Sequence, residues 1–278
     1  DSELASVSLD LIQLYEEDKL SRADWEKTYI EGLDLLGLRF EDRTKPWDGA
    51  CGVFHPLLTD SVVRFQAQTI QEIFPASGPA KTTVVGKLTP EKTKQSNRVG
   101  EYLNYTSTKK MVEYRDETES LLFSLPIAGS AFRKIYHDPT LGRSCSMFVP
   151  AEDFVVSYGA SHLSTCPRGT HVMMRTVNEV RKLQVSGFYL DVDLNEPVAD
   201  LSEIQQKSDD LIGVSGATAS KDSRHCLLEM QVEYDLPGFE DMINGTPTEI
   251  GVPYVITIDK SSGQILSIYR NWKEQDEQ

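Results

Sequence analysis

Apolar positions recur at helical spacing through the first 125 residues and at alternate positions through much of the remainder. Leu4, Val7, Leu11, Leu14 and Tyr15 share one helical face, and Trp25, Tyr29, Leu33 and Leu36 share another. Ser21 stands where the second helix would be capped and Gly37 where it would end, so residues 3–37 predict an αα-hairpin. FEDRTKPWDGACGVFHP holds too many Pro, Gly and Asp residues to be periodic and reads as a loop, with Trp47 and Phe54 as anchors. Pro56 then opens a helix whose buried side is marked by Leu58, Val62, Phe65, Thr69, Ile70 and Ile73, until Pro75 stops it. TTVVGK has the composition of a short strand. Thr89-Pro90-Glu91 places a cap, a proline and an acid at the start of a long helix reaching about Ser124. Its inner positions are Val99, Leu103, Met111, Tyr114, Leu121 and Leu122, with NYTST as a candidate break.

From Pro126 the period becomes strand-like. AFRKIYH, SMFVP, DFVVSY and HVMMRTV are short β-type runs, and Asp138-Pro139-Thr140-Leu141-Gly142 has proline and glycine where a hairpin loop wants them. Asn178 caps a short helix closed by Gly187. Residues 191–222 are polar and lack a period, which predicts a mobile insertion. CLLEMQVEYD, PYVITID and QILSIYRNW return to strands, the last two forming a hairpin through Lys260-Ser261-Ser262-Gly263. No repeat of roughly 20–50 residues is visible, so a solenoid or propeller is not expected. The fold class is α+β: N-terminal helices packed on a mainly antiparallel sheet. The regions divide as a helical hairpin and loop (1–54), a helical body (55–125) and a β-rich part (126–278) with an acidic insertion near 191–224.

Charge sharpens this picture. The net charge is −15, and residues 191–241 hold 13 Asp and Glu against only Lys207, Lys221 and Arg224. An acidic surface repels phosphates, which argues against tight wrapping of DNA. No run approaches the roughly 20 apolar residues of a membrane span, and the acidic N-terminus is unlike a signal peptide. Neither a membrane segment nor export is expected. Cys51, Cys145, Cys166 and Cys226 form no C-x-x-C pair and have no histidine at zinc-finger spacing, so reduced thiols are expected. The triplets at Asn104 and Asn244 match a glycosylation pattern that has no meaning without export. The chain begins without Met and ends in NWKEQDEQ with no closing cap, which predicts a piece of a longer chain.

Candidate chemistry is sparse. Gly86-Lys87 lacks the upstream glycine of a phosphate loop, and Leu88 stands where Ser or Thr should hold magnesium. No G-x-G-x-x-G or G-x-S-x-G occurs. Asp191-Val192-Asp193-Leu194-Asn195 begins like a calcium loop, but Glu196 takes the glycine position and Ser202 that of the bidentate acid. Among His55, His137, His162, His171 and His225, no two stand at the i, i+4 spacing of a helical metal site. Cys51 with His55 would make a thiol and base only if a third group oriented the base. Glu152-Asp153 is the most enzyme-like pair, yet adjacent carboxylates on a strand point to opposite faces. Val149-Pro150-Ala151 instead predicts a turn in which Asp153 caps a backbone N–H. No catalytic, cofactor-binding or metal-binding residue is assigned.

The segments FHPLLTDSVVRFQAQTIQEIF, SLPIAGSAFRKIYHDP, FVPAEDFVVSYGA, HVMMRTVNEVRKL and YVITIDKSSGQILSIYRNW, taken in order, resemble the N-terminal half of portal proteins of tailed bacteriophages, those of short-tailed phages above all. The resemblance spans residues 50–273 as consecutive segments and not as one sharp motif. It implies a non-enzymatic virion protein whose wing-like body joins a ring of about twelve copies at one capsid vertex. Through that ring DNA would be packaged and ejected without tight binding. The implied partners are other copies of the chain, the terminase packaging motor, and capsid and tail or adaptor proteins. Portals are much longer than this chain, so their stem lies beyond it. Candidate ring surfaces are the helices at 56–74 and 90–123 and the acidic region 191–241. The alternatives are a metal-dependent hydrolase or nuclease using Glu152, Asp153 and a histidine, or another head–tail adaptor.

Overall fold

A computed structural model describes residues 2–37, 47–52, 55–138, 141–197, 202–211, 224–243 and 246–271. In chain order the elements are α1 (Ser2–Ser21), α2 (Ala23–Leu36), α3 (Leu57–Ile73), α4 (Pro90–Tyr105), α5 (Tyr114–Ala128), β1 (Phe132–Asp138) and β2 (Arg143–Val149). They continue with β3 (Phe154–Val156), β4 (Arg168–Thr176), α6 (Val177–Val185), α7 (Glu203–Leu211) and β5 (Arg224–Tyr234). Last come β6 (Met242–Ile243), β7 (Thr246–Pro247), β8 (Val252–Asp259) and β9 (Ile265–Arg270). All strand pairs are antiparallel and the class is α+β. The chain forms two compact units: Asp1–Ile30 with Glu152–Gln278, and Glu31–Ala151 between them in sequence.

The first unit is built on a five-stranded sheet ordered β3-β4-β5-β8-β9. Alternation along β5 and β8 sends Leu228, Met230, Ile256 and Ile258 to one face, where they pack fully buried with Val7, Leu11 and Tyr15 of α1. Leu227 of β5, Met173 of β4 and Leu266 of β9 face the other way and are covered by Val180 of α6 and by Tyr189. Burial on both faces makes β5 and β8 the structural centre. Two polar contacts fix α1 there: the Ser8 hydroxyl donates to the Gly263 carbonyl at 2.6 Å, and Arg168 grips Asp18 with two bonds of 2.6 and 2.8 Å. The stripe of α1 thus packs on the sheet, and the expected hairpin with α2 is not what buries it. Ser21 donates to the Asp18 carbonyl and caps nothing.

The β8–β9 hairpin matches its expectation. Gly263 holds φ +67 in the turn, and Asp259 and Gln264 close it through backbone bonds. The helix after β4 is capped by Thr176, not Asn178: Thr176 and Glu179 form a reciprocal capping box, and the helix ends before Gly187. Within the polar stretch 191–222, Glu203–Leu211 is helical; residues 198–201 and 212–223 lie outside those described.

In the second unit α3 packs on α5, and α5 packs on β2 of the β1–β2 hairpin. Glu113 accepts two bonds from Arg143 at 2.8 and 2.9 Å, and Arg133 donates to the Thr118 hydroxyl at 2.6 Å. Several expectations change here. TTVVGK is not a strand: just before it Ala80 donates its N–H to Asn104 Oδ1 and accepts from Asn104 Nδ2, and the Thr82 hydroxyl donates to the Ser96 carbonyl, so the segment is held against α4 by side-chain bonds and not in a strand ladder. The long helix breaks at NYTST. The Ser107 and Thr108 hydroxyls bond back to the carbonyls of Leu103 and Asn104, and residues Thr106–Lys110 form a single π turn. The second half, α5, runs past Pro126 to Ala128 because left-handed Gly129 supplies its cap. Phe65, Val99 and Leu103, expected inside, are exposed, as is Trp47, expected to anchor its loop. Phe54, its expected partner, lies outside the described residues.

Candidate functional site

Glu152 and Asp153 sit in a short 3-10 turn, Ala151–Asp153, where chain direction changes before β3. Arg22, at the joint between α1 and α2, reaches the turn and donates to the carbonyls of Glu152 (2.7 Å) and Phe154 (3.3 Å). Its Nε pairs with Glu26 at 2.9 Å, and its guanidinium lies over the Trp25 ring at 5.4 Å. The guanidinium is therefore committed to backbone, Glu26 and an aromatic face. Burial raises the Glu152 carboxyl above its usual range, opposed by a hydrogen bond from Tyr29, and one oxygen, Oε2, is buried without a hydrogen bond. Burial, and then the neighbouring Glu152 charge, pushes Asp153 to about 6 against the pull of Arg22. The expected backbone cap by Asp153 is not formed, since Arg22 organises the turn in its place. The pair can hold a proton near neutral pH. Among the described residues no three His, Cys, Asp or Glu side chains converge as a metal site, so no histidine completes a ligand set with it.

A second buried polar pair escaped the sequence. His225 of β5 places Nδ1 3.3 Å from Oδ1 of Asp259 on β8, both nearly inaccessible, without an in-line hydrogen bond. The other Asp259 oxygen accepts from Ser261 Oγ (2.7 Å), Ser262 N (2.9 Å) and Ser262 Oγ (2.6 Å). A hydrolytic triad requires the histidine to stand between acid and hydroxyl. Here the acid stands between them, so the serines cannot be activated by His225, and Asp259 serves the hairpin turn. The DKSSG sequence carried the turn signal, whereas the histidine, 34 positions away, had none.

The remaining sequence candidates do not assemble. Cys51, His55, His137 and His162 are exposed. Gly86-Lys87 follows no strand. Asp191 of the calcium-like stretch is paired with Arg181, which supplies positive charge there. Asn244 lies outside the described residues.

What the structure displays instead are two exposed surfaces of different character. On the first unit, beside β9, lies an open groove of about 1390 Å³ lined by aromatic and aliphatic side chains, among them Phe188, Phe239, Ile250 and Tyr269, all substantially exposed. Glu233, Glu240 and Asp241 line its wall, and Arg270, the one lining cation among the described residues, lies over the Tyr254 ring at 5.3 Å. On the second unit, α4 is open along most of its length. Ser96, Gly100 and Asn104 face the 78–85 segment; of the sixteen residues only Gly100 is buried. The other faces carry Lys92, Lys94, Arg98, Val99, Tyr102, Leu103 and Tyr105, all exposed. Residues 81–110 hold seven Lys and Arg against Glu91 and Glu101, a local balance of +5 in a chain of −15. None of the seven makes an ion pair among the described residues, and Lys110 lies over the rings of Tyr102 and Tyr105. A running charge count would have found this stretch; the strongly acidic total concealed it.

No known family model matches the sequence, and no curated protein matches it. Among the described residues no helix is long and apolar enough to cross a membrane.

Proposed function

We propose that the chain is a structural subunit of a bacteriophage portal, a ring of identical copies at one capsid vertex through which DNA is packaged and ejected. The ordered segment resemblance over residues 50–273 suggests the family. The observation that carries the reading is the pair of unlike exposed surfaces. A closed ring of identical chains needs a heterologous contact, in which each copy presents two different patches. An acidic aromatic groove on one unit and a basic, partly aromatic helix on the other meet that requirement, and contiguous exposed apolar surface marks interaction sites in soluble proteins. The acidic total suits a conduit that must let DNA slide, because tight binding comes from basic surfaces that displace counterions. On this reading the chain acts in the virion, with the packaging motor, capsid and tail or adaptor proteins as further partners.

Analytical ultracentrifugation and negative-stain microscopy of the full natural chain test the proposal. Rings with a central opening, sedimenting at roughly twelve times the subunit mass, are expected. Monomers alone at high protein concentration would refute it.

A further inference from the structure

The groove and α4 are complementary in three respects. The groove offers acids, Glu233, Glu240 and Asp241, around an aromatic floor. The outward side of α4 offers Lys94 and Arg98 one turn apart, with Tyr102 and Tyr105 continuing the same side and Val99 and Leu103 flanking it. Direction is settled by the opposite face, where Ser96, Gly100 and Asn104 meet the 78–85 segment through the Thr82–Ser96 and Ala80–Asn104 bonds. Size agrees as well: an open groove of about 1390 Å³ has room for a row of side chains from one helix. Each surface leaves apolar area uncovered that a phosphate backbone would not cover.

We propose that α4 of one copy docks into the groove beside β9 of the next copy, with Lys94 and Arg98 meeting Glu233, Glu240 and Asp241. This rests on the ring-subunit reading and names the contact that closes the ring. The contact is helix-in-groove, with an apolar strip setting the fit and unlike charges setting orientation and partner choice. Duplex DNA is the competing occupant of the basic side of α4.

The test mixes two full-length variants in a Cys51→Ser background, one carrying Leu103→Cys and the other Phe239→Cys, and treats them with a short bis-maleimide. A covalent dimer in the mixture, well above that in either variant alone or in the Cys51→Ser parent, is expected. A charge-swap series accompanies it. Lys94→Glu with Arg98→Glu should lower assembly at least tenfold, as Glu240→Lys with Asp241→Lys should, while circular dichroism stays unchanged. Mixing the two reversed chains should restore alternating contacts. Oligomers that form normally yet give no cross-link overturn the docking and leave the ring reading standing. Absence of oligomers in the parent chain overturns both. A chain carrying both Leu103→Cys and Phe239→Cys is treated alongside, and a cross-link confined to it, migrating as monomer, overturns the intermolecular contact. Loss of binding to a short DNA duplex in the Lys94→Glu, Arg98→Glu variant, with sedimentation unchanged, assigns α4 to nucleic acid and overturns the proposal.

Discussion

Asp153 stands in a strongly perturbed carboxylate environment with a defined consequence for pH. Its side chain makes no hydrogen bond among the described residues, Glu152 repels it, and Arg22 is spent on backbone carbonyls and Glu26. With the folded carboxyl holding its proton up to about pH 6 and the unfolded one releasing it near about 4, the folded chain binds more protons between those values. The group's contribution to stability is therefore fully present below about pH 4 and lost as pH rises through about 6, on the order of 1–3 kcal/mol. Asp153→Asn keeps the neutral form at every pH. Urea midpoints should show the variant more stable than the parent above about pH 6, with the advantage vanishing toward about pH 4. A variant less stable at pH 7.5 would mean that the ionised carboxylate has a role the geometry does not contain. His225 and Asp259 illustrate a different case, a buried pair in which one Asp259 oxygen is absorbed by the hairpin turn while the other faces the His225 ring without a hydrogen bond.

At the scale of elements, α6 covers the sheet face formed by Met173, Leu227 and Leu266 through Val180, so its first turn guards a core surface. Thr176→Ala removes the acceptor for the Glu179 N–H and the hydroxyl that donates to the Glu179 carboxylate, leaving only the bond from the residue-176 N–H, for a loss of about 1 kcal/mol; Thr176→Ser should recover most of it. Chemical denaturation with both variants checks the pair. The capping box is present in the sequence as Thr176 and Glu179, but Asn178 is an equally good cap residue and points to a start two positions late. The elements that were legible are those whose signals lie within themselves. Alternation in β5, β8 and β9, the glycine at position 263 and the hydroxyl-rich break before α5 each need only their own neighbours. What stayed hidden depends on partners far along the chain. TTVV has strand composition, but the Thr82 hydroxyl bonds to Ser96, 14 residues on, the backbone of Ala80 just before it bonds to Asn104, 24 residues on, and the Asp18–Arg168 clamp spans 150 residues. Periodicity places Val99 and Leu103 on a helical stripe; it cannot say that the described residues leave that stripe exposed. The surfaces on which function is argued were for this reason the least visible part.

For the whole molecule, charge makes two opposed demands on assembly. Each copy carries −15, so bringing copies together at low ionic strength is resisted by long-range repulsion. The proposed contact itself joins a +5 segment to an acidic groove, and that attraction acts over a few ångströms. Salt separates the two by distance. The screening length shrinks from about 30 Å at 0.01 M to about 10 Å at 0.1 M and about 3 Å at 1 M. The first step removes the general repulsion while leaving close ion pairs largely intact, and the second weakens those pairs while apolar burial persists. The assembled fraction measured by sedimentation in sodium chloride should therefore rise from about 0.01 M to about 0.1 M and fall again toward about 1 M. In the Lys94→Glu, Arg98→Glu variant the falling limb should disappear, since the remaining contact is apolar and only repulsion is left to screen. A parent profile that rises steadily to 1 M would show that unlike charges do not hold the copies together. A profile that falls from the lowest salt would show that the acidic total is too well distributed, or too well neutralised by counterions, to oppose assembly.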